Sequence, residues 1–147
     1  MREVEDSFHL VERETRAYDV KQTAKRVNKE SRSNGGLMRI APIGIWMAEH
    51  VKDRTDARYE NLKTVVKADI ELTHPDKLTQ QCCFLYCSAI AFLLNNPKQS
   101  GKGQQCFDEC LRLSQMPICN YKSVKEVEYI EITSSCESWL REAQNMA

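Results

Sequence analysis

Apolar positions in this chain recur at intervals of three and four, the spacing that puts side chains on one face of a helix. From Met1 to Glu30, Phe8, Val11, Thr15, Tyr18, Ala24 and Val27 recur between charged residues without a glycine or proline. This predicts one helix or two short ones. Leu37 to Val51 is apolar on nearly all sides, as suits a helix at the centre of a helical protein. Pro42 falls inside it, so either the true start lies near Pro42 or the helix kinks there. A polar turn, Lys52 to Asp56, offers Thr55 or Asp56 as a cap for a helix over Ala57 to Leu72, carried by Leu62, Val65, Val66, Ala68 and Ile70.

The clearest amphipathic stretch is Lys77 to Asn95, with Leu78, Cys82, Leu85, Tyr86, Ala89 and Leu93 in register and a stop at Asn95-Asn96-Pro97. Gln99 to Gly103 is predicted to be a flexible loop, followed by a short helix from Cys106 to Leu113 that Met116-Pro117 closes. Val124 to Ile132 fits a strand or a helix, and Ser134-Ser135 is placed to cap a last helix bearing Trp139 and Leu140. The expected fold is all-α, a single domain from Met1 to Ala147 built as an irregular orthogonal bundle of about six helices.

Composition narrows the partners. With 147 residues, 41% hydrophobic and 29% charged, the chain has the makeup of an ordinary globular domain. Its 21 basic and 21 acidic residues cancel, so no global field draws it to nucleic acid or to an anionic membrane. The basic cluster Lys21, Lys25, Arg26 and Lys29 suits a solvated helix end. No apolar run is expected to reach the roughly 18 residues that span a bilayer, and the charged start MREVEDSFHL is unlike a secretory signal. A cytoplasmic location is expected. Seven cysteines, an odd number, argue against a disulfide framework. Cys83 and Cys87, and separately Cys106 and Cys110, stand four apart, not at the short knuckle spacings of structural zinc, and are expected to be buried thiols.

Two stretches carry candidate chemistry. In SRSNGGLMRIAP, Ser31 to Pro42, an Asn34-Gly35-Gly36 turn runs into a predicted helix. Glycine tolerates backbone angles closed to other residues and lets a ligand approach the main chain, and the first amides of a helix favour an anion. A Gly-Gly turn is also a common way to change direction between helices. In Thr73-His74-Pro75-Asp76, proline at the first helical position would put His74 at the break between two helices and Asp76 in the next first turn. His74 there either faces a pocket or, with Thr73, caps the helix.

The string SNGGLMRIAPIGIW from Ser33 to Trp46, LTHPD from Leu72 to Asp76, and the pattern Cys83, Tyr86, Ala89-Ile90 together resemble the middle segment of the ADP-ribosylglycohydrolase family. The resemblance covers roughly Asp19 to Leu94, with a weaker echo at Ser138-Trp139. It implies a partial ADP-ribosylglycohydrolase-like fold and a substrate-binding set of Ser31, Ser33, Asn34, Gly35, Gly36, Met38 and His74. It also implies ADP-ribose or an ADP-ribosylated protein as partner.

That family cleaves the glycosidic bond between ADP-ribose and a modified side chain with two magnesium ions, held by a Gly-Asp with a Thr-Asp-Asp cluster and by an Asp-x-Asp-Thr run. This sequence contains no Asp-Asp, Asp-Thr or Gly-Asp pair. Its Asp53, Asp56, Asp69, Asp76 and Asp108 are scattered, so no catalytic residue, metal ligand or cofactor is assigned to it. The expectation is a relative that is inactive as this isolated chain and lacks both metal-bearing segments. The alternatives are a binding module without turnover, and a gene fragment or subunit completed by another polypeptide.

Overall fold

The computed structural model describes residues 2–52, 56–97, 100–116, 118 and 126–145. Among the described residues there are six α-helices and one 3-10 turn, and the fold is all-α. They are α1 (Arg2–Val27), α2 (Gly35–Met47), the 3-10 turn (Ala48–Val51), α3 (Asp56–Ile70), α4 (Lys77–Asn95), α5 (Lys102–Ser114) and α6 (Glu126–Asn145).

Helix α4 is the axis of the fold, packing against α2, α3, α5 and α6. Its sequence dictates that place, because no charged residue follows Lys77 and small or apolar side chains cover most of its circumference. Phe84, Cys83, Cys87 and Ala91 are fully buried. Tyr59, Leu62, Val66 and Ile70 form the facing stripe of α3, and Ile132 and Cys136 that of α6. A smaller apolar cluster of Phe92, Cys106 and Cys110 seats α5 against the second half of α4.

The expectation that no segment is long and apolar enough to cross a bilayer is corrected by α4, which passes on length and composition. Four helices surround it, and the same composition makes a core helix.

Helix α2 lies unusually close to α4, and glycine is the reason. A Cβ on Gly44 would stand 3.1 Å from the Cys87 Cα and 3.3 Å from its carbonyl oxygen, so one backbone rests on the other. Pro42 neither starts nor ends α2, which runs through it. Pro42 and Met38 are both exposed, so the bond that proline cannot donate to the Met38 carbonyl is lost on the solvent side of the helix.

Helix α1 is one continuous helix whose described side chains are largely exposed. It joins the body through buried Ala24, a Lys21–Glu71 ion pair at 3.6 Å, and an Asn28 side-chain amide that donates to the Thr73 carbonyl at 3.2 Å. Phe8 and Val11 lie outside the described side chains, as do Thr55, Pro117, Cys119 and Val124.

Three boundaries differ from expectation. Ser134 and Ser135 sit inside α6, where the Ser134 hydroxyl donates to the Glu131 carbonyl instead of capping. This is the known alternative for a mid-helix serine. Helix α5 begins at Lys102, a full turn earlier than its apolar residues suggest, because Gly101 turns the chain with φ of 70°. Asp76 is the N-cap of α4 and not a first-turn residue, with its carboxylate accepting from the Thr79 amide at 2.9 Å and from the Thr79 hydroxyl at 3.0 Å. Pro75 therefore precedes the cap.

Candidate functional site

The two candidate stretches meet. Residues 28–34 lead from α1 to α2 and the 71–76 segment leads from α3 to α4. Both connections lie at the same end of the α2–α4 pair. The Thr79 hydroxyl, whose hydrogen goes to Asp76, also stands 3.4 Å from the Ser31 carbonyl, which brings the first connection against the start of α4. Ser33 Oγ and His74 Nε2 share a hydrogen bond of 2.9 Å across the gap between them.

His74 is 9% exposed and bonded at both ring nitrogens, Nε2 to Ser33 and Nδ1 to the Thr73 hydroxyl at 2.9 Å. Because Asp76 caps α4, capping does not account for His74 or Thr73. The ring is held by its neighbours with one carbon edge against Gly35, whose Cβ would lie 3.6 Å from Cε1 and Nε2.

Asn34 precedes α2 with φ of −72° and ψ of −1° and makes no side-chain capping bond. No acidic residue occupies the first turn. The amides of Gly35, Gly36 and Leu37 thus stand at a helix start with no intrahelical acceptor and no carboxylate to neutralise them. Neither Gly35 nor Gly36 has a positive φ, so backbone freedom is not what these positions require. Gly36 is buried, and a Cβ there would touch Cys83 Sγ, Ile70 Cδ1 and Thr79 Cγ2 at 3.5 Å each. Its smallness serves the packing of α2 on α3 and α4. Met38 is 77% exposed on the outer face of α2 and belongs to neither the core nor the bonded cluster around His74.

Arg39 stands inside the string from Ser33 to Trp46 but is not among the residues that the resemblance assigns to the ligand. Its guanidinium donates to the Asp69 carboxylate, to the Asp69 carbonyl at 2.9 Å and to the Thr73 hydroxyl at 3.0 Å. One side chain therefore locks α2 to the end of α3 and reaches the residue beside His74. The signal available was an arginine placed five residues after Asn34, but its partners lie 30 and 34 positions away.

Beside the start of α2, an open cleft of ≈ 160 Å³ is bounded by Arg32, Ser33, Asn34, Leu37, Cys82 and Trp139. Sites that enclose a whole small molecule begin near ~300 Å³, so this cleft has room for one ring or one phosphate group. Cys82 is among the residues that line it, and its pKa is lowered, chiefly because Cys136 hydrogen-bonds to it. Cys83 and Cys87, inside the α2–α4 contact, are pushed up to about 12 by burial. The six described cysteines are free thiols.

Hard cations need several oxygens converging on one point, and no group of three or more metal-capable side chains does so among the described residues. Asp69 and Asp76 are engaged, Asp69 with Arg39 and Asp76 with the amide and hydroxyl of Thr79.

A family model described as ADP-ribosylglycohydrolase matches residues 3–146. The match extends well beyond the motif-bearing stretch from Asp19 to Leu94, into α5 and α6. No curated protein and no solved structure matches.

Proposed function

Because the chain belongs to the ADP-ribosylglycohydrolase family, we propose that it binds the ADP-ribose group through the turn from Ser31 to Gly36 together with His74, and that this chain alone does not hydrolyse the bond to a modified side chain. The observation that carries the reading is the Ser33–His74 hydrogen bond, which joins the two family-like segments at the open start of α2. The uncapped amides of Gly35 to Leu37 suit a phosphate oxygen. The exposed Asn34 side chain, free of a capping bond, suits a hydroxyl or an adenine edge.

Hydrolysis needs a positioned water and stabilisation of the charge that develops on the ribose. The described side chains gather no oxygen cage for the two ions that the family resemblance implies. In this reading the described residues hold the nucleotide.

Calorimetric titration with ADP-ribose tests the reading. Saturable binding that Asn34→Ala and His74→Ala both abolish, with the helical circular dichroism intact, is the expected result. Binding that survives both substitutions overturns it. In a parallel assay, an ADP-ribosylated peptide incubated with the protein and magnesium is expected to release no ADP-ribose. Release that a chelator stops would show that these residues do assemble a metal site.

A second reading, that another polypeptide completes the site, is favoured by the outer face of α2. Met38, Ile45 and Trp46 stand 77%, 58% and 63% exposed there, on the helix that also carries the proposed ligand turn. A contiguous apolar face of this kind marks a contact surface.

A further inference from the structure

We propose that Arg39, acting through Thr73, fixes His74 in the tautomer protonated at Nε2 and so turns the Ser33 hydroxyl into an outward hydrogen-bond donor for an oxygen of the ligand. The ligand half of this statement rests on the ADP-ribose reading. The tautomer half stands on the unliganded protein.

The direction follows from which groups have a choice. A guanidinium only donates, so in the 3.0 Å contact from Arg39 the Thr73 Oγ1 is the acceptor. The hydroxyl keeps one lone pair and its own hydrogen. His74 Nδ1 lies 2.9 Å away. Were Nδ1 protonated, Oγ1 would accept from both neighbours and its own hydrogen would be left to solvent, since Thr73 is half-buried. With Nδ1 unprotonated, the hydroxyl donates to it and every group is used once. The positive charge of Arg39 on the far side of the oxygen also makes that hydrogen more acidic and the bond stronger.

A neutral imidazole that accepts at Nδ1 carries its proton on Nε2. Nε2 then donates to Ser33 Oγ over 2.9 Å. Ser33 is exposed, so its own hydrogen is left to point into the open region at the start of α2. The relay converts a fixed cation on α2 into a directed donor at the ligand turn. Thr73 cannot drift within it, because Asn28 holds its carbonyl from the α1 side and its amide donates to the Ile70 carbonyl at 3.0 Å. Arg39 and Thr73 are positioning residues, and Ser33 is the group that meets the ligand.

The experiment is a long-range proton–nitrogen correlation spectrum of the imidazole rings in the ¹⁵N-labelled, unliganded protein. Three histidines contribute, and His74→Gln identifies the third set of peaks by its loss. The expected wild-type pattern is a protonated Nε2 and an unprotonated Nδ1. Thr73→Val, which keeps the shape and removes the hydroxyl, should mix the tautomers and weaken ADP-ribose binding about tenfold, the worth of one hydrogen bond. Thr73→Ser should restore both, and Arg39→Gln should mix the tautomers with Thr73 still present.

A wild-type spectrum with the proton on Nδ1 overturns the proposal without any variant. So does a Thr73→Val protein whose tautomer is unchanged. A proton on Nε2 without ADP-ribose binding overturns the ligand reading and leaves the tautomer assignment standing, whereas binding with the proton on Nδ1 overturns the assignment alone.

Discussion

Ser33 Oγ lies 2.9 Å from His74 Nε2 although 41 positions separate them, and this contact helps close the turn before α2 onto the break before α4. His74 is buried, so removing its partner leaves a mostly shielded ring nitrogen unpaired. Ser33→Ala is expected to lower stability by about 1–3 kcal/mol in urea denaturation and to weaken ADP-ribose binding about tenfold. Unchanged stability and affinity would mean that water replaces the hydroxyl at no cost.

The two buried glycines of α2 should respond oppositely to alanine. At Gly44 the new methyl would meet Cys87 backbone atoms at 3.1 and 3.3 Å, which cannot step aside without parting α2 from α4. Gly44→Ala is expected to destabilise by about 1–3 kcal/mol. At Gly36 the same methyl makes ordinary 3.5 Å contacts with three side-chain atoms, and alanine is the better helix former. Gly36→Ala should be close to neutral. Paired denaturation midpoints decide, and a Gly44→Ala protein as stable as wild type would show that the helices can separate freely.

Asp76 starts the central helix by accepting from both the amide and the hydroxyl of Thr79. Asp76→Ala is expected to cost about 1 kcal/mol, with Asp76→Asn recovering most of it, because asparagine caps nearly as well. The ion pair with Arg32, at 3.5 Å and with Arg32 61% exposed, contributes little, so Arg32→Ala should leave the denaturation midpoint in place.

Burial sets a pH dependence on the alkaline side. Cys83 and Cys87 have pKa values raised from 9.0 to about 12, first by loss of hydration. The unfolded chain releases these protons near pH 9.0 while the fold retains them until about 12, so the native state binds more protons in that window. Their contribution is whole below pH 9.0 and is lost as pH rises through the window. The urea midpoint should fall across it, and the Cys83→Ala/Cys87→Ala double variant should fall less steeply from a lower start. Equal slopes would rule these thiols out as the cause.

Cys82 has the opposite environment, half-buried at the cleft with its thiolate favoured by the Cys136 thiol. Iodoacetamide is expected to modify Cys82 before Cys83 or Cys87, and Cys136→Ala to slow that reaction. Mass spectrometry of the peptide map reads both.

Much of the fold was legible because the apolar period needs no tertiary information. Helix α4 runs from Lys77 to Asn95, the limits its pattern predicts, and α2 with its 3-10 turn fills the span to Val51. The failures are local. Ser134-Ser135 and Asp76 could each have capped or lain within a helix, and a hydroxyl or carboxylate near a helix start does not announce which. Tertiary context chose. Helix α1 resembles the others in pattern but leaves most described residues exposed, since periodicity reports a face and not what covers it.

At the candidate site, the sequence by itself determined that an Asn-Gly-Gly turn precedes an apolar helix, that a histidine stands at a break between two more, and that no Asp-Asp, Asp-Thr or Gly-Asp pair occurs. Only the tertiary structure decided that the turn and the histidine touch, that Gly36 is small for the sake of Cys83 and Ile70, and that Arg39 reaches Asp69 and Thr73. The reason is range. Helix period and turn chemistry are set by neighbours a few residues apart, whereas these contacts span 30 to 41 positions and exist only once α2 and α3 have packed on α4.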